Sequence, residues 1–208
     1  MNQPVEIQLP QGKIYYLYNA TGKRIQKRIQ PNQGAVTTTD YFGEFQYENG
    51  VLQFFAHPEG YVKPHDSGYL YVYQYKDHLG NIRLSYADLN QNGSIEPTSE
   101  IIDEANYYPF GLQHEGYNMM GNVNSNKAAE KYKFNGIEYE DNLGFGFYEM
   151  DLRHYNPSIA RWVIQDPVIH YEYSPYNAFD NNPVYWSDPS GADATSIYHN
   201  GEEVIITN

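Results

Sequence analysis

Residues 88–100 carry the clearest chemistry that can be read from spacing alone. Asp88, Asn90 and Asn92 stand at alternate positions, followed by Gly93, Ser94, Ile95 and Glu96. Hard divalent cations want several oxygen ligands from one short loop, and calcium takes six to eight. Counting Asp88 as the first position, oxygen-bearing side chains fall at positions 1, 3 and 5. The glycine falls at 6, where the chain must turn, and Ile95 at 8 can pair in a small strand. Position 12, the place for a bidentate glutamate, is Ser99, and the nearest acid is Glu100. The expected calcium ligands are therefore Asp88, Asn90, Asn92, Ser94 and Glu100. Two asparagines lower the ligand charge, which predicts weak binding. The preceding segment reads as strand, so such a loop would stand outside a helix–loop–helix. The plain alternative is a hairpin turn built on Asn92-Gly93.

Other chemistries find little support. The chain has no cysteine, which excludes disulfides, thiolate metal sites and cysteine nucleophiles. Its seven histidines (His57, His65, His78, His114, His154, His170, His199) are scattered, with none at metal-ligand spacing. No glycine-rich phosphate loop and no G-x-S-x-G elbow occurs, which argues against nucleotide use and serine hydrolysis. Tyrosine is abundant, with 23 of 208 residues. An exposed tyrosine face can bind carbohydrate or protein, but on stacked hairpins the rings are expected to pack against each other with hydroxyls outward.

The elements expected to position these residues are short strands. Lys13–Tyr18 is a run of aromatic β-formers closed by Asn19-Ala-Thr-Gly22, and Lys23–Ile29 resumes it. Phe45–Tyr47 and Val51–Phe55 flank Asn49-Gly50, a hairpin signal because both residues tolerate positive φ. Tyr69, Tyr71, Tyr73 and Tyr75 alternate along one strand and so share a face. A plan recurs in Tyr16-x-Tyr18-Asn19-x-x-Gly22-x-Arg24 and Tyr73-x-Tyr75-x-Asp77-x-x-Gly80-x-x-Arg83. It consists of a tyrosine pair, an Asn or Asp, a glycine three residues on, and a basic residue. Such repeats stack to bury a core that no single unit can. Helix is expected only as short turns at Asn126–Lys131 and Ser99–Ala105. Asn200-Gly201 signals one more hairpin in the tail.

Charge narrows the partners. The net charge is −13, which argues against nucleic-acid and anionic-membrane partners. Between Arg83 and Lys127 lie six acids and no Lys or Arg, whereas Lys13–Arg28 holds five basic residues. An acidic middle would suit a divalent cation or a basic partner, or simply solvate the surface. No stretch approaches the ~18 to 20 apolar residues of a membrane helix. Met1-Asn-Gln-Pro4 lacks the features of a signal peptide. The aromatic content rules out whole-chain disorder.

Several motifs occur in a fixed order: Tyr73-Gln-Tyr-Lys-Asp77-His-Leu-Gly80-Asn-Ile-Arg83, Asn106-Tyr-Tyr-Pro-Phe-Gly111 and Lys133-Phe-Asn-Gly136. Then follow Asp151-Leu-Arg153-His-Tyr155-Asn-Pro157, Ala160-Arg161-Trp162-Val-Ile-Gln-Asp166-Pro167, Ser174-Pro-Tyr-Asn177 and Asn181-Asn-Pro183-Val-Tyr-Trp-Ser-Asp188-Pro-Ser-Gly191. Over roughly residues 13–193 this series resembles the Rhs or YD-repeat proteins, and in particular their repeat-associated core domain in the form common in Bacteroidetes. The resemblance implies a mostly β fold in which antiparallel, tyrosine-rich hairpins form part of a curved shell. A loop-rich core with little helix follows and closes one end.

The implied organisation is YD-type hairpins at 1–87 and an acidic loop region at 88–130. The core spans 131–193, and the start of a truncated variable segment spans 194–208. The implied partners are the rest of a larger Rhs polypeptide or its C-terminal, toxin-like effector segment. The implied location is secreted or on the cell surface as part of that larger protein. The chain reads as the terminal piece of such a protein or as a truncated product.

The resemblance also implies chemistry. In several members the core cuts the chain just after its Asp-Pro-x-Gly motif, using aspartates. Hydrolysis by a carboxylate pair needs one ionised group to activate water and one protonated group to polarise the amide. By motif, Asp166 and Asp188 match those aspartates, and Arg161 could hold a carboxylate ionised through a bidentate pair. Asp180 lies nearby. The plain reading of Asp before Pro is a turn opener that caps backbone N–H groups. Self-cleaving relatives tend to carry Leu after the motif, where this chain has Ala192. A structural closing role is therefore favoured over proteolysis, with a carbohydrate- or protein-binding surface module as a third reading.

Overall fold

The alternating β-formers of the first half build ten strands, each paired with the next. The computed structural model describes residues 3–66, 68–116, 123–168, 171–192 and 195–196. The strands are β1 (Glu6–Leu9), β2 (Gly12–Tyr18), β3 (Arg24–Pro31), β4 (Thr37–Phe42), β5 (Phe45–Glu48), β6 (Val51–His57), β7 (Gly60–His65), β8 (Gly68–Lys76), β9 (Ile82–Tyr86) and β10 (Ile101–Glu104). They form one antiparallel sheet in chain order. A mostly β, antiparallel fold is what the sequence predicts, and among the described residues the sheet does not close into a barrel.

The turns follow from residue type. Asn49 and Gly50 adopt φ of 50° and 80°, as a tight hairpin between β5 and β6 demands. The two repeated turns are built alike. Asn19 Oδ1 accepts the N–H groups of Thr21 and Lys23 at 3.0 and 2.9 Å. Asp77 Oδ1 accepts those of Leu79 and Asn81 at 3.0 and 3.1 Å. In each, the glycine N–H returns to the Asn or Asp carbonyl, and the glycine has φ near +80°.

On β8, Tyr69, Tyr71, Tyr73 and Tyr75 lie on one exposed face while Val72 is buried on the other. Their rings meet neighbours on adjacent strands: Tyr69 with Phe55, Tyr71 and Tyr73 with His57, and Tyr73 with Tyr86. The expected packing is thus cross-strand.

Ser99–Ala105 departs from expectation. Its residues 101–104 form β10 rather than a helical turn, and β10 extends the sheet past residue 87. Ile101 and Ile102 are buried, and two β-branched residues beside a free edge at β9 favour pairing over a turn. Asn126–Lys131 does form a turn, with Asn126 Oδ1 capping the N–H groups of Ala128 and Ala129 and a 3₁₀ segment over Ala129–Lys131.

Residues beyond 131 make a small second sheet, β11 (Tyr139–Glu140), β12 (Phe147–Glu149), β13 (His154–Asn156) and β14 (Arg161–Trp162), again in chain order. A two-stranded ladder follows, β15 (Trp186–Ser187) with β16 (Thr195–Ser196). The hairpin expected at Asn200-Gly201 lies outside the described residues.

Among the described residues, three apolar clusters hold these pieces. Phe54, Tyr61, Val72 and Ile102 on the large sheet take Ala128 and Ala129 against them. Phe134, Tyr148, Tyr155, Trp162 and Phe179 fill the core region. Ile14, Tyr16 and Ile29 of β2 and β3 meet Phe145, joining sheet to core. Each fully buried side chain of this size contributes roughly 1.5–3 kcal/mol.

Candidate functional site

The Asp188-Pro-Ser-Gly191 turn leaves the end of β15 and folds over Trp162. Asp188 Oδ1 accepts the backbone N–H of Gly191 at 2.7 Å and of Ala192 at 3.2 Å, and the Ser190 hydroxyl at 3.1 Å. This is the capping use of an aspartate expected of an Asp-Pro turn. Gly191 has φ +76°, and a Cβ there would lie 3.2 Å from the Arg153 backbone nitrogen and 3.4 Å from the Trp162 ring. Glycine suits both the backbone conformation and the close approach.

Arg153 occupies the centre of the site. It stands just before β13, is 3% exposed, and its guanidinium lies 4.2 Å over the Trp162 ring. Its Nε donates to the Gly191 carbonyl at 2.5 Å. Its Nη2 lies 2.9 Å from Asp166 Oδ2 and 3.6 Å from Asp188 Oδ2. The other Asp166 oxygen accepts the Val168 N–H at 2.9 Å. Burial pushes the Asp188 carboxyl above the usual range; the Gly191 N–H, the Ser190 hydroxyl and Arg153 oppose that rise. One guanidinium thus serves two carboxylates and one carbonyl oxygen.

The two aspartates expected from motif do converge, but on Arg153 and not on Arg161. Strand alternation explains the difference. Trp162 points inward at 2% exposure, so its neighbour Arg161 faces the other way and donates to the Ala160 carbonyl at 2.8 Å. Asp180 is exposed in a 3₁₀ turn. Chemically, the site polarises the Gly191 carbonyl through Arg153 and places Asp188 against the N–H of the next residue.

The calcium-type loop is closed on itself by its own oxygens. Asp88 accepts the N–H groups of Asn92 and Gly93 at 3.1 and 2.8 Å, and Asn92 Oδ1 accepts that of Ser94 at 2.8 Å. Asn90 Oδ1 also accepts the Asn92 N–H, at 3.0 Å. Glu100 is 1% exposed and accepts the N–H groups of Leu89, Asn90 and Glu96. Of the five residues, Glu100 folds back on the start of the loop.

A second ionic site has no counterpart in the sequence expectations. From β3, Lys27 reaches Glu138, Glu140 and Glu149 at 2.6, 2.5 and 2.9 Å, with all four side chains at 2% exposure or less. Arg24 pairs with Glu138 at 2.7 Å and with Glu149, and lies 4.8 Å over the Tyr41 ring. Lys131 reaches Glu140 at 3.0 Å. The Tyr16 hydroxyl donates to Glu149 and the Tyr41 hydroxyl to Glu138. Lys27 stands among the three carboxylates, in the space a metal ion would need. Burial works to raise the Glu149 carboxyl, but Arg24 and then Lys27 hold it well below the usual range. The available signal is register: Lys27 lies two residues before buried Ile29 and so shares its inward face.

No family model matches the chain. The chain is 24% identical over 190 residues to salivary gland surface protein 1 of Aedes aegypti, covering 86% of this chain and 5% of that protein. It is 28% identical over 114 residues to the toxin subunit YenC1 of Yersinia entomophaga, covering 53% and 11%. Among solved structures, TcdB2-TccC3 matches with a TM-score of 0.64 at 22% identity, over 86% of this chain and 9% of that one. The Photorhabdus luminescens Tc holotoxin pore with a TccC3 mutation matches with a TM-score of 0.66 at 22% identity, over 94% and 9%. The chain spans only a twentieth to a ninth of these proteins, and within that span it has the fold of the TcdB2-TccC3 segment it matches.

Proposed function

We propose that this chain is an Rhs-type closing module of a larger, toxin-associated polypeptide. In this reading β1–β10 are a stretch of shell wall and the region after residue 131 is the plug seated on it. The module presents whatever follows Gly191. The observation that carries the reading is the seating itself: the core is joined to the face of β2 and β3 by buried Lys27 and the three buried glutamates, with half-buried Arg24 beside them. An interface of this kind is specific in register and costly to break from one side. The likeness to YenC1 and TcdB2-TccC3 supports the toxin association. The larger partner is the remainder of the Rhs polypeptide, and the location is secreted or on the cell surface. Among the described residues no helix is long and apolar enough to cross a membrane.

A second reading, aspartate-dependent self-cleavage after the Asp188-Pro-Ser-Gly191 turn, is favoured by one observation. Arg153 holds the Gly191 carbonyl while Asp166 and Asp188 share its guanidinium. One experiment separates the two. About thirty generic residues are appended after Asn208 and intact mass is followed over days. A constant full-length mass is expected of a closing module. Loss of the piece beyond the turn, abolished by Asp188→Asn, would assign proteolysis instead.

Weak calcium binding at Asp88, Asn90, Asn92, Ser94 and Glu100 accompanies either reading. It calls for a higher melting temperature in millimolar calcium that Asp88→Ala removes. An identical melt with chelator would end it.

A further inference from the structure

His154 is the titratable group in the sheet–core joint that the ionic network does not use. It is 6% exposed on β13 and directly opposite Glu149 of β12 in the strand register. Its ring packs against Tyr16 of β2 at 5.9 Å and Phe145 at 5.4 Å. Among the described residues its ring nitrogens have no hydrogen-bond partner, although Val163 N–H reaches its carbonyl oxygen at 3.2 Å. It also lines a cavity of about 230 Å³ shared with Arg24, Glu138, Glu149 and Tyr41, which gives water a route to the ring.

The charges facing His154 come from every element of the joint. β3 supplies Arg24 and Lys27, β12 supplies Glu149, and the segment through β11 supplies Glu138 and Glu140, with Lys131 on Glu140. The phenols of Tyr16 and Tyr41 face the same carboxylates. Three cations therefore already balance three glutamates. A proton on His154 would add a fourth cation beside three glutamates that already have partners, and the further carboxylate lining the cavity, Asp151, is exposed.

We propose that protonation of His154 in mildly acidic solution releases the joint between the ten-stranded sheet and the core, making the plug acid-labile. This inference rests on the joint and not on the chemistry at Arg153, so it stands whether or not the chain cuts itself. Burial first, with Arg24 and Lys27 against the pull of Glu149, lowers the imidazole from 6.5 to about 4. The direction of the effect follows. The unfolded chain takes up this proton below pH 6.5 and the folded chain does not until about pH 4, so stability is lost as pH falls across that window.

The test uses the full chain. Imidazole NMR should show His154 titrating near pH 4. Melting curves between pH 7 and 4.5 should fall for the wild type by about 5 °C or more beyond the fall for His154→Phe. Phenylalanine keeps a ring against Tyr16 and Phe145 and carries no proton. If that variant does not fold, His154→Gln serves in its place. Hydrogen exchange at pH 5 should expose amides of residues 138–149 before those of β5–β8. An imidazole titrating near 6.5, or a variant whose melting temperature falls as far as the wild type's, would overturn the proposal.

Discussion

Two buried ionic sites, at the sheet–core joint and at the Gly191 turn, differ in charge balance. At the sheet–core joint Arg24, Lys27 and Lys131 face Glu138, Glu140 and Glu149; Lys27 and the three glutamates are fully buried, Arg24 and Lys131 partly so. At the Gly191 turn a single guanidinium faces Asp166 and Asp188, and Asp166 retains 12% exposure. Balance makes the joint a fastening: its cations hold Glu140 and Glu149 ionised, and losing a partner leaves buried charge that is only partly met. Imbalance leaves the turn with a carboxylate that takes a proton more readily than usual, which is the raw material of acid–base chemistry. The two sites also answer pH in opposite senses. Acid removes stability from the joint through His154, whereas it relieves the cost of keeping Asp188 charged.

Breaking the balance at the joint should have the largest effect. Lys27→Met removes the central cation and leaves three buried glutamates facing Arg24 and Lys131. The expected loss is about 3–5 kcal/mol, the usual cost of removing one partner of a buried pair, read as a shifted midpoint in denaturant titration. An unchanged midpoint would mean that the network contributes nothing to holding the core on the sheet.

At the Gly191 turn the effects should be smaller and local. Gly191→Ala places a Cβ against Arg153 and Trp162 at a left-handed φ, which costs about 1–3 kcal/mol. Its signature is a change in Trp162 fluorescence at temperatures where the far-ultraviolet circular dichroism is still native. If the fluorescence and melting temperature match the wild type, the turn is not pressed against the ring.

The smallest change is expected from Asp188→Asn, which keeps an acceptor oxygen for the Gly191 N–H and removes a charge that burial disfavours. Stability at pH 7 should move by no more than about 1 kcal/mol. The clearer readout is pH. The wild-type stability held through a protonated Asp188 is present below pH 3.8 and lost as pH rises through the raised folded value. That component should vanish in the variant, and its persistence would place the titrating group elsewhere.

Much of the large sheet is legible in the chain. Asn49-Gly50, Asn19-x-x-Gly22 and Asp77-x-x-Gly80 turn where their residues require, because a positive φ or an Asx cap is a property of the residue and its next few neighbours. The convergence of Asp166 and Asp188 was legible too, through motif. Arg161 was not the right partner because facing depends on strand register, which sent Trp162 inward and left Arg153 beside the turn. Ser99–Ala105 misled for a similar reason, since a waiting edge at β9 decided the strand.

The amino-acid order alone determined the hairpins, their turns and the alternating tyrosine face, since each depends on conformational preferences that act within about ten residues. Only the tertiary structure decided which charges neutralise one another. Lys27 and Glu138 are 111 residues apart, and the register of β3, which turns Lys27 inward, does not show which carboxylates will meet it. An ion pair's energy depends on distance and on the loss of water around both partners, and neither exists until the core has settled on the sheet.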